Sequence, residues 1–320
     1  MAKPYFGGQA VIEGVMMKGP KHWSLAVRST DDTIVSVDEP FKSISERWPI
    51  FKKPLFRGIV VLAETFVLGI KTISLSANLS LGEAEEEISS KEMVGTLVLA
   101  FALVVGLFMV LPFYLTRTAS AVIENRFLFA LTEGVFRISI FVLYILVISR
   151  VKDIQRVFQY HGAEHMVIHA YEAGEELTPR NAAKYSPLHI RCGTAFMLIV
   201  MVVAIFSFSF LPTTNVLTRV AGKLILIPIV AGVSYEITRI AARYAHLSVM
   251  KALMWPGLML QKLTTGTPDE SQLEVAIYAL NNVLIAEGVK EAPAPLEAPE
   301  FDETDEEEPV PVAVDQTAAT

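Results

Sequence analysis

GTLVLAFALVVGLFMVLPFYL, residues 95–115, runs for 21 positions without a charged side chain. A helix needs ~20 consecutive apolar residues to cross the hydrocarbon core of a bilayer. Only helices and closed barrels satisfy their own backbone there. The stretch is therefore read as the body of a membrane span, 93–115. Three further runs approach the same length: 127–149, 193–211 and 221–240. The expected fold is a predominantly α membrane protein with about four transmembrane helices, a small N-terminal β region and cytoplasmic helices.

Composition agrees. The chain has 320 residues, 52% apolar and 19% charged, with a mean hydropathy of +0.45. Soluble domains sit near ~45–50% apolar and ~25% charged, so an ordinary soluble enzyme and a disordered chain are both excluded. The net charge of −7 is local: residues 291–320 hold ten acidic and no basic side chains, and the remainder carries 27 basic and 24 acidic. No dense basic stripe marks a nucleic-acid partner. The single cysteine, Cys192, rules out an intramolecular disulfide and suits a reducing compartment. The start, MAKPYFGGQA, lacks the apolar core of a signal peptide.

Basic residues set the expected orientation. Nine lie between Lys3 and Arg57 and six in 150–191, whereas the two opposite loops offer Arg117, Arg126 and Arg219. By the positive-inside rule both termini and the long middle connection are expected to be cytoplasmic. The segment 57–79 is also apolar, but Arg57, Glu64, Lys71 and Asn78 recur every seven residues. On a helix they form one narrow polar stripe, so 57–82 is expected to lie in the interface or against the bundle. The organisation expected is a cytoplasmic β-rich region at 1–56, that helix, a four-span domain at 93–240 with a histidine-rich cytoplasmic connection at 150–192, cytoplasmic or interfacial helices at 247–288, and a disordered acidic tail at 291–320. Runs 23–29 and 33–37, separated by Thr30-Asp31-Asp32, read as a hairpin. Pro256-Gly257 is expected to break the apolar run 247–263. Thr267-Pro268 is expected to open a helix reaching Ala286, with Leu273, Ile277, Leu280 and Leu284 on one face.

The chemistry concentrates in the middle connection. Four of six histidines fall there, His161, His165, His169 and His189, followed by Cys192. Residues 151–173 read as one helix ended by Gly174. Histidines four apart advance ~6 Å and rotate ~40°, so neighbours can share one metal ion, whereas His161 and His169, ~12 Å apart, cannot. Two readings follow. In one, His161-Gly162-Ala163-Glu164-His165 is the H-x-x-E-H arrangement of inverted zinc hydrolases, with both imidazoles on the metal and Glu164 as base. The third ligand is Glu236, His189 or Cys192, in that order of preference. In the other, His165, His169 and Glu172 form the ligand stripe, with Glu172 or an off-helix group as base. Imidazole pairs favour a divalent transition ion, zinc first, over magnesium or calcium.

Other candidates carry less. Gly7-Gly8-Gln9-Ala10-Val11-Ile12-Glu13-Gly14 lacks a phosphate-loop pattern and reads as tight β-turn structure, with Glu13 within possible reach of the metal region. Arg28 reads as a paired surface charge, Cys192 by itself as a buried small residue, and Met16-Met17 as packing. His22 and His246 stand alone.

Five blocks in order, GGQAVIEGVMMKGP, LFRGIVVLAET, YHGAEHMVIHAYE, HIRCGT and LTTGTPDESQLEVAIYAL, resemble the YqhQ-like family of bacterial multi-pass membrane proteins of unknown function, regarded as metal-dependent enzymes. The resemblance covers roughly 1–288. It implies a bacterial inner-membrane location and a metal site, and no substrate. The function expected is a cytoplasm-facing membrane metalloprotein, a hydrolase acting on a lipid-linked or membrane-protein substrate. The alternative is a non-catalytic membrane scaffold or envelope assembly factor. A transporter is disfavoured by the near-absence of ionisable residues at the span centres.

Overall fold

The computed structural model describes residues 6–81, 90–119, 125–212, 215–244 and 247–291. His246, and the acidic tail beyond residue 291, lie outside the described residues. Four strands, β1 (Gly7–Val11), β2 (Gly14–Lys18), β3 (His22–Arg28) and β4 (Ile34–Pro40), form an antiparallel meander in sequence order. The helices are α1 (Ile44–Arg47), α2 (Phe56–Leu81), α3 (Ser90–Val105), α4 (Leu111–Ala119), α5 (Arg126–Ile148), α6 (Lys152–Ala173), α7 (Pro179–Ala182), α8 (Gly193–Phe208), α9 (Val216–Arg243), α10 (Ser248–Gln261) and α11 (Glu270–Ala286). A π turn, Gly106–Val110, joins α3 to α4.

The expected hairpin is present as β3 and β4, with Arg28 opposite Ile34. The glycine-rich start is not a bare turn. It forms β1, and the turn falls at Ile12-Glu13, where Glu13 takes a left-handed φ of 52°. The sheet is covered on both faces. Val15, Met17 and Ala26 pack on α6 and α11 through Ala163, Val167 and Leu280. Met16, Leu25 and Val27 pack on Leu68 of α2. Met16 and Met17 thus fill opposite faces, as the two-residue period of a strand requires. The helix expected from Thr267 starts two residues later: Asp269 is the N-cap, with a capping box to Gln272. An aspartate accepts from the exposed N–H groups more readily than a threonine preceding proline. Leu273, Ile277, Leu280 and Leu284 are all buried.

Among the described residues, four helices are long and apolar enough to cross a membrane: Phe56–Ser80, Val94–Ala119, Arg126–Ile148 and Val216–Arg243. The number agrees with the sequence; the membership differs. The run 193–211 yields a helix of only 16 residues, α8, because the chain leaves helical geometry before Pro212. The segment at 57–82 is the 26-residue α2. Its heptad of polar residues faces protein. Arg57 pairs with Glu236 of α9, Glu64 accepts from Ser43 Oγ at 3.0 Å and Ile44 N at 2.6 Å, and Lys71 meets Glu39 at 2.5 Å. Phe66 and Val67, on the other side, are about two-thirds exposed. Pro256 does not break its run: α10 passes through it. Gly257 is needed there because a Cβ would come within 2.9 Å of Ala195 on α8.

Inside the bundle the ionisable residues pair with one another, which is how charges persist in apolar surroundings. Glu133 of α5 accepts from Arg219 at 2.7 and 2.9 Å, from Arg137 at 3.0 Å and from Lys223. The π turn turns two carbonyls toward the same cations: Phe108 O accepts from Arg137 Nε at 2.9 Å, and Met109 O from Lys223 at 3.4 Å.

Candidate metal centre

Helix α6 carries the histidines on a face buried by three neighbours: β1, the loop from Ser186 to Cys192, and the turn after α10. It ends as expected at Gly174, which takes a left-handed φ of 78°. Gly162 is required by the third neighbour. A Cβ there would lie 2.0 Å from the carbonyl oxygen of Gly266, whose N–H donates to Phe158 O at 2.7 Å. Gly8 is required by the first: a Cβ would lie 2.6 Å from Met16 O and 2.9 Å from Glu164 Cγ. The two glycines let strand and turn approach the helix closely enough to enclose the histidines.

The backbone then fixes the tautomers. His161 Nδ1 lies 2.8 Å from Thr264 O, and His165 Nδ1 lies 2.5 Å from Pro187 O. A carbonyl only accepts, so each Nδ1 carries the proton and each Nε2 of a neutral ring keeps its lone pair. The two rings are 4.4 Å apart. Cys192 Sγ comes to 3.3 Å from His161 Nε2. It also caps α8, accepting from Thr194 N at 3.4 Å. His161, His165 and Cys192 thus offer ligand atoms within 4.8 Å of one another. A tetrahedral zinc with bonds of ~2.3 Å to sulfur and ~2.1 Å to nitrogen separates those atoms by ~3.6 Å, close to the observed contact.

A second group, His169, Glu172 and His189, adjoins the first, with His189 5.5 Å from His165 and 4.7 Å from His169 between ring centres. It is less ready to bind a cation. His169 donates from Nε2 to Leu188 O at 3.1 Å. Arg191 N donates to His189 Nδ1 at 3.2 Å, and the Arg191 guanidinium lies 3.4 Å from His189 Nε2, so a cation already stands against this ring. Glu172 itself is paired with Arg191. His189 is held neutral, its pKa lowered to about 3 by burial and then by Arg191, His169 and His165.

The sequence left the third ligand open, with Glu236 first. Glu236 is not brought to the histidines: Arg57 and Leu55 N hold it at the junction of α2 and α9. Cys192 is brought there, because the loop before it folds back over α6 and gives its carbonyls to His165 and His169. Glu13, a candidate for the same region, is taken by Arg156. Arg28 is paired as expected, with Asp32 and Glu274.

Glu164 lines a pocket of ≈ 130 Å³ together with His161, His165, His189, Cys192 and the Gly7-Gly8 backbone. Burial pushes its carboxyl pKa up, against the opposing pull of His161 and the Gly8 N–H. Two positioning residues escaped the sequence reading. Gln261, fully buried, clamps the His189 backbone by accepting at 2.9 Å and donating at 2.8 Å. Thr264 acts through its main chain, which no side-chain pattern could reveal. Gln261 did carry a signal, a lone carboxamide ending the run LMLQ.

The helices and this pocket define a class: a multi-helix membrane protein with a His-His-Cys cluster and a buried carboxylate walled by a small sheet. Residues 53–286 match the family described as Protein of unknown function (DUF1385), and the chain belongs to that family. It is 34% identical over 301 residues to a protein named "Uncharacterized protein YqhQ" of Bacillus subtilis (strain 168), an alignment covering 90% of this chain and 95% of that one. No solved structure matches.

Proposed function

We propose that the chain is a metal-dependent hydrolase working at the membrane surface, with His161, His165 and Cys192 holding zinc and Glu164 as general base. The carrying observation is the pair of Nδ1 contacts to backbone carbonyls, which leave two Nε2 lone pairs converging beside a thiol. Imidazole and thiolate donors suit zinc, and three protein ligands are what catalytic zinc sites use. A zinc ion supplies Lewis acidity, polarising a carbonyl or phosphoryl oxygen and lowering the pKa of water. The protein's own part is proton transfer. Glu164, desolvated and held by the Gly8 N–H, takes a proton from the attacking water and returns it to the leaving group.

The packing supports a topology with the pocket on the side of both termini. The sheet shares a core with α6, and α6 shares one with α11. An even number of crossings must therefore separate the members of each pair. Between sheet and α6 lie α2, the α3–α4 rod and α5. Helix α2 lies along the sheet and is the one that stays in the interface. Between α6 and α11, α8 and α9 cross and α10 does not. At ~1.5 Å per residue α8 spans ~24 Å, short of the ~30 Å core, so its N-terminal Cys192 sits at the edge of the hydrocarbon. The positive-inside rule makes that side the cytoplasm of an inner-membrane protein.

A second reading is favoured by one contact. Cys192 Sγ lies 3.3 Å from His161 Nε2 at a helix N-terminus, which is also the arrangement of a thiolate nucleophile with its imidazole partner. Elemental analysis of the detergent-extracted full chain, without a histidine tag, separates the two. The metal reading expects about one zinc per chain. Below about a tenth of an ion after zinc addition, the metal reading fails. Rapid alkylation of Cys192 in that metal-free protein then favours the thiol, and slow alkylation the scaffold.

A further inference from the structure

The last turn of α10 and the residues just after it touch the linings of two pockets. On one side Gln261 clamps His189 and Thr264 O receives the proton of His161 Nδ1. On the other, Leu260 and Leu263 face a second pocket of ≈ 260 Å³ between α5, α8 and α10, where Phe141 and Met201 are among the walls. Every described side chain lining it is apolar. Apolar cavities of ~150 Å³ stay dry and take up benzene, so this larger one is not a water site. It lies among helices of the membrane bundle, where the available apolar matter is lipid hydrocarbon. α8 also links the two pockets, running from Cys192 at the metal cluster to Leu198 and Met201 at the apolar cavity.

We infer that this pocket holds one hydrocarbon chain of a membrane lipid whose ester- or phosphoester-bearing head reaches the His161–His165–Cys192 cluster. The inference rests on the hydrolase reading for the fate of the head; occupancy of the pocket by the chain is independent of it. Anchoring a chain beside α10 presents a head group at the level of Cys192 without lifting the lipid from the bilayer.

The test uses the full chain in nanodiscs of phosphatidylethanolamine and phosphatidylglycerol, with a trace of phosphatidylglycerol carrying a diazirine in one acyl chain. After irradiation, mapped label is expected on pocket residues, Met201, Met259 and Leu260 foremost. Met201→Trp, which fills the pocket, should reduce that label roughly fivefold or more. Val202→Trp, on the outer side of α8 where Val202 is 58% exposed, should leave it unchanged. Wild-type label confined to outward residues such as Val202 overturns the inference, and that measurement depends on no variant folding. Zinc is assayed in the same nanodiscs. A labelled pocket without zinc keeps the lipid chain and removes the hydrolase reading. Zinc with an unlabelled pocket does the reverse.

Discussion

Two polar clusters are buried in this molecule, and they are built in opposite ways. The one at α5 and α9 is ionic and closed on itself. A single carboxylate, Glu133, takes donors from three cations, and four backbone carbonyls take four further N–H groups. The one at α6 is open. Its imidazoles give their protons to carbonyls and aim bare nitrogens at each other, at a thiol and at a pocket. A cluster whose one carboxylate is already shared by three cations has no acceptor left for a metal ion, whereas one made of converging acceptors asks for a cation. Ionisability alone therefore does not mark the functional site; the direction of the unmatched atoms does.

The contrast makes its largest prediction at Glu133. Glu133→Gln leaves Arg137, Arg219 and Lys223 as three buried cations without a carboxylate. Breaking a buried ion pair costs about 3–5 kcal/mol, and here three pairs fail together. The expected outcome is loss of the monodisperse peak when detergent-extracted protein is run on a sizing column. Adding Lys223→Met should restore part of it, since one orphaned charge is removed. A Glu133→Gln protein that extracts and melts like wild type would mean that the cluster is not holding α5 to α9.

At the open cluster the same logic predicts lost binding with little lost structure. His165→Ala should abolish stoichiometric zinc, and so should His161→Ala. His169→Ala should retain it within about twofold, because His169 belongs to the group whose Glu172 and His189 are already faced by the Arg191 guanidinium. Elemental analysis of the three proteins decides. Retention in His161→Ala with loss in His169→Ala would move the site to the second group.

Gly162→Ala should act more gently on the same centre. The added Cβ meets Gly266 O at 2.0 Å, so the turn must retreat, and the contact that fixes the His161 tautomer lengthens with it. Losing a hydrogen bond that orients a ligand imidazole costs ~10–100-fold in metal affinity. Competition with a chelator of known affinity measures it. An unchanged affinity would show that the Thr264 carbonyl does not set the tautomer.

How much of this was legible in the sequence depended on whether the deciding contacts were local. The helix carrying the histidines, its end at Gly174 and the face of α11 follow from spacing along one element, and spacing survives folding. The hairpin was readable because β-prone runs flank an obvious turn. β1 and β2 were not, because five-residue strands rich in glycine give no alternation to read. Pro256 misled because proline costs an isolated helix about 3 kcal/mol, an expense that packing of Gly257 on Ala195 offsets. The polar heptad of α2 was visible, but not what it faces. The place of Cys192 beside His161 depended on a loop folding back through main-chain carbonyls, which leave no trace in residue identity.

Glu236 tests that last point with the smallest expected effect. By sequence it was the attractive third ligand, a carboxylate near the end of a span. In the fold it pairs with Arg57, both side chains between a fifth and a third exposed. Pairs so placed contribute about 1 kcal/mol or less, and this one ties the start of α2 to α9 some distance along the chain from any histidine. Glu236→Gln keeps the shape and removes the charge. Zinc content should be unchanged, and the melting midpoint should fall by no more than about 2–4 °C. A loss of zinc in Glu236→Gln with the midpoint preserved would be hard to reconcile with Cys192 as the third ligand. It would mean that α9 delivers a carboxylate to the histidines in a conformation where Arg57 has let go.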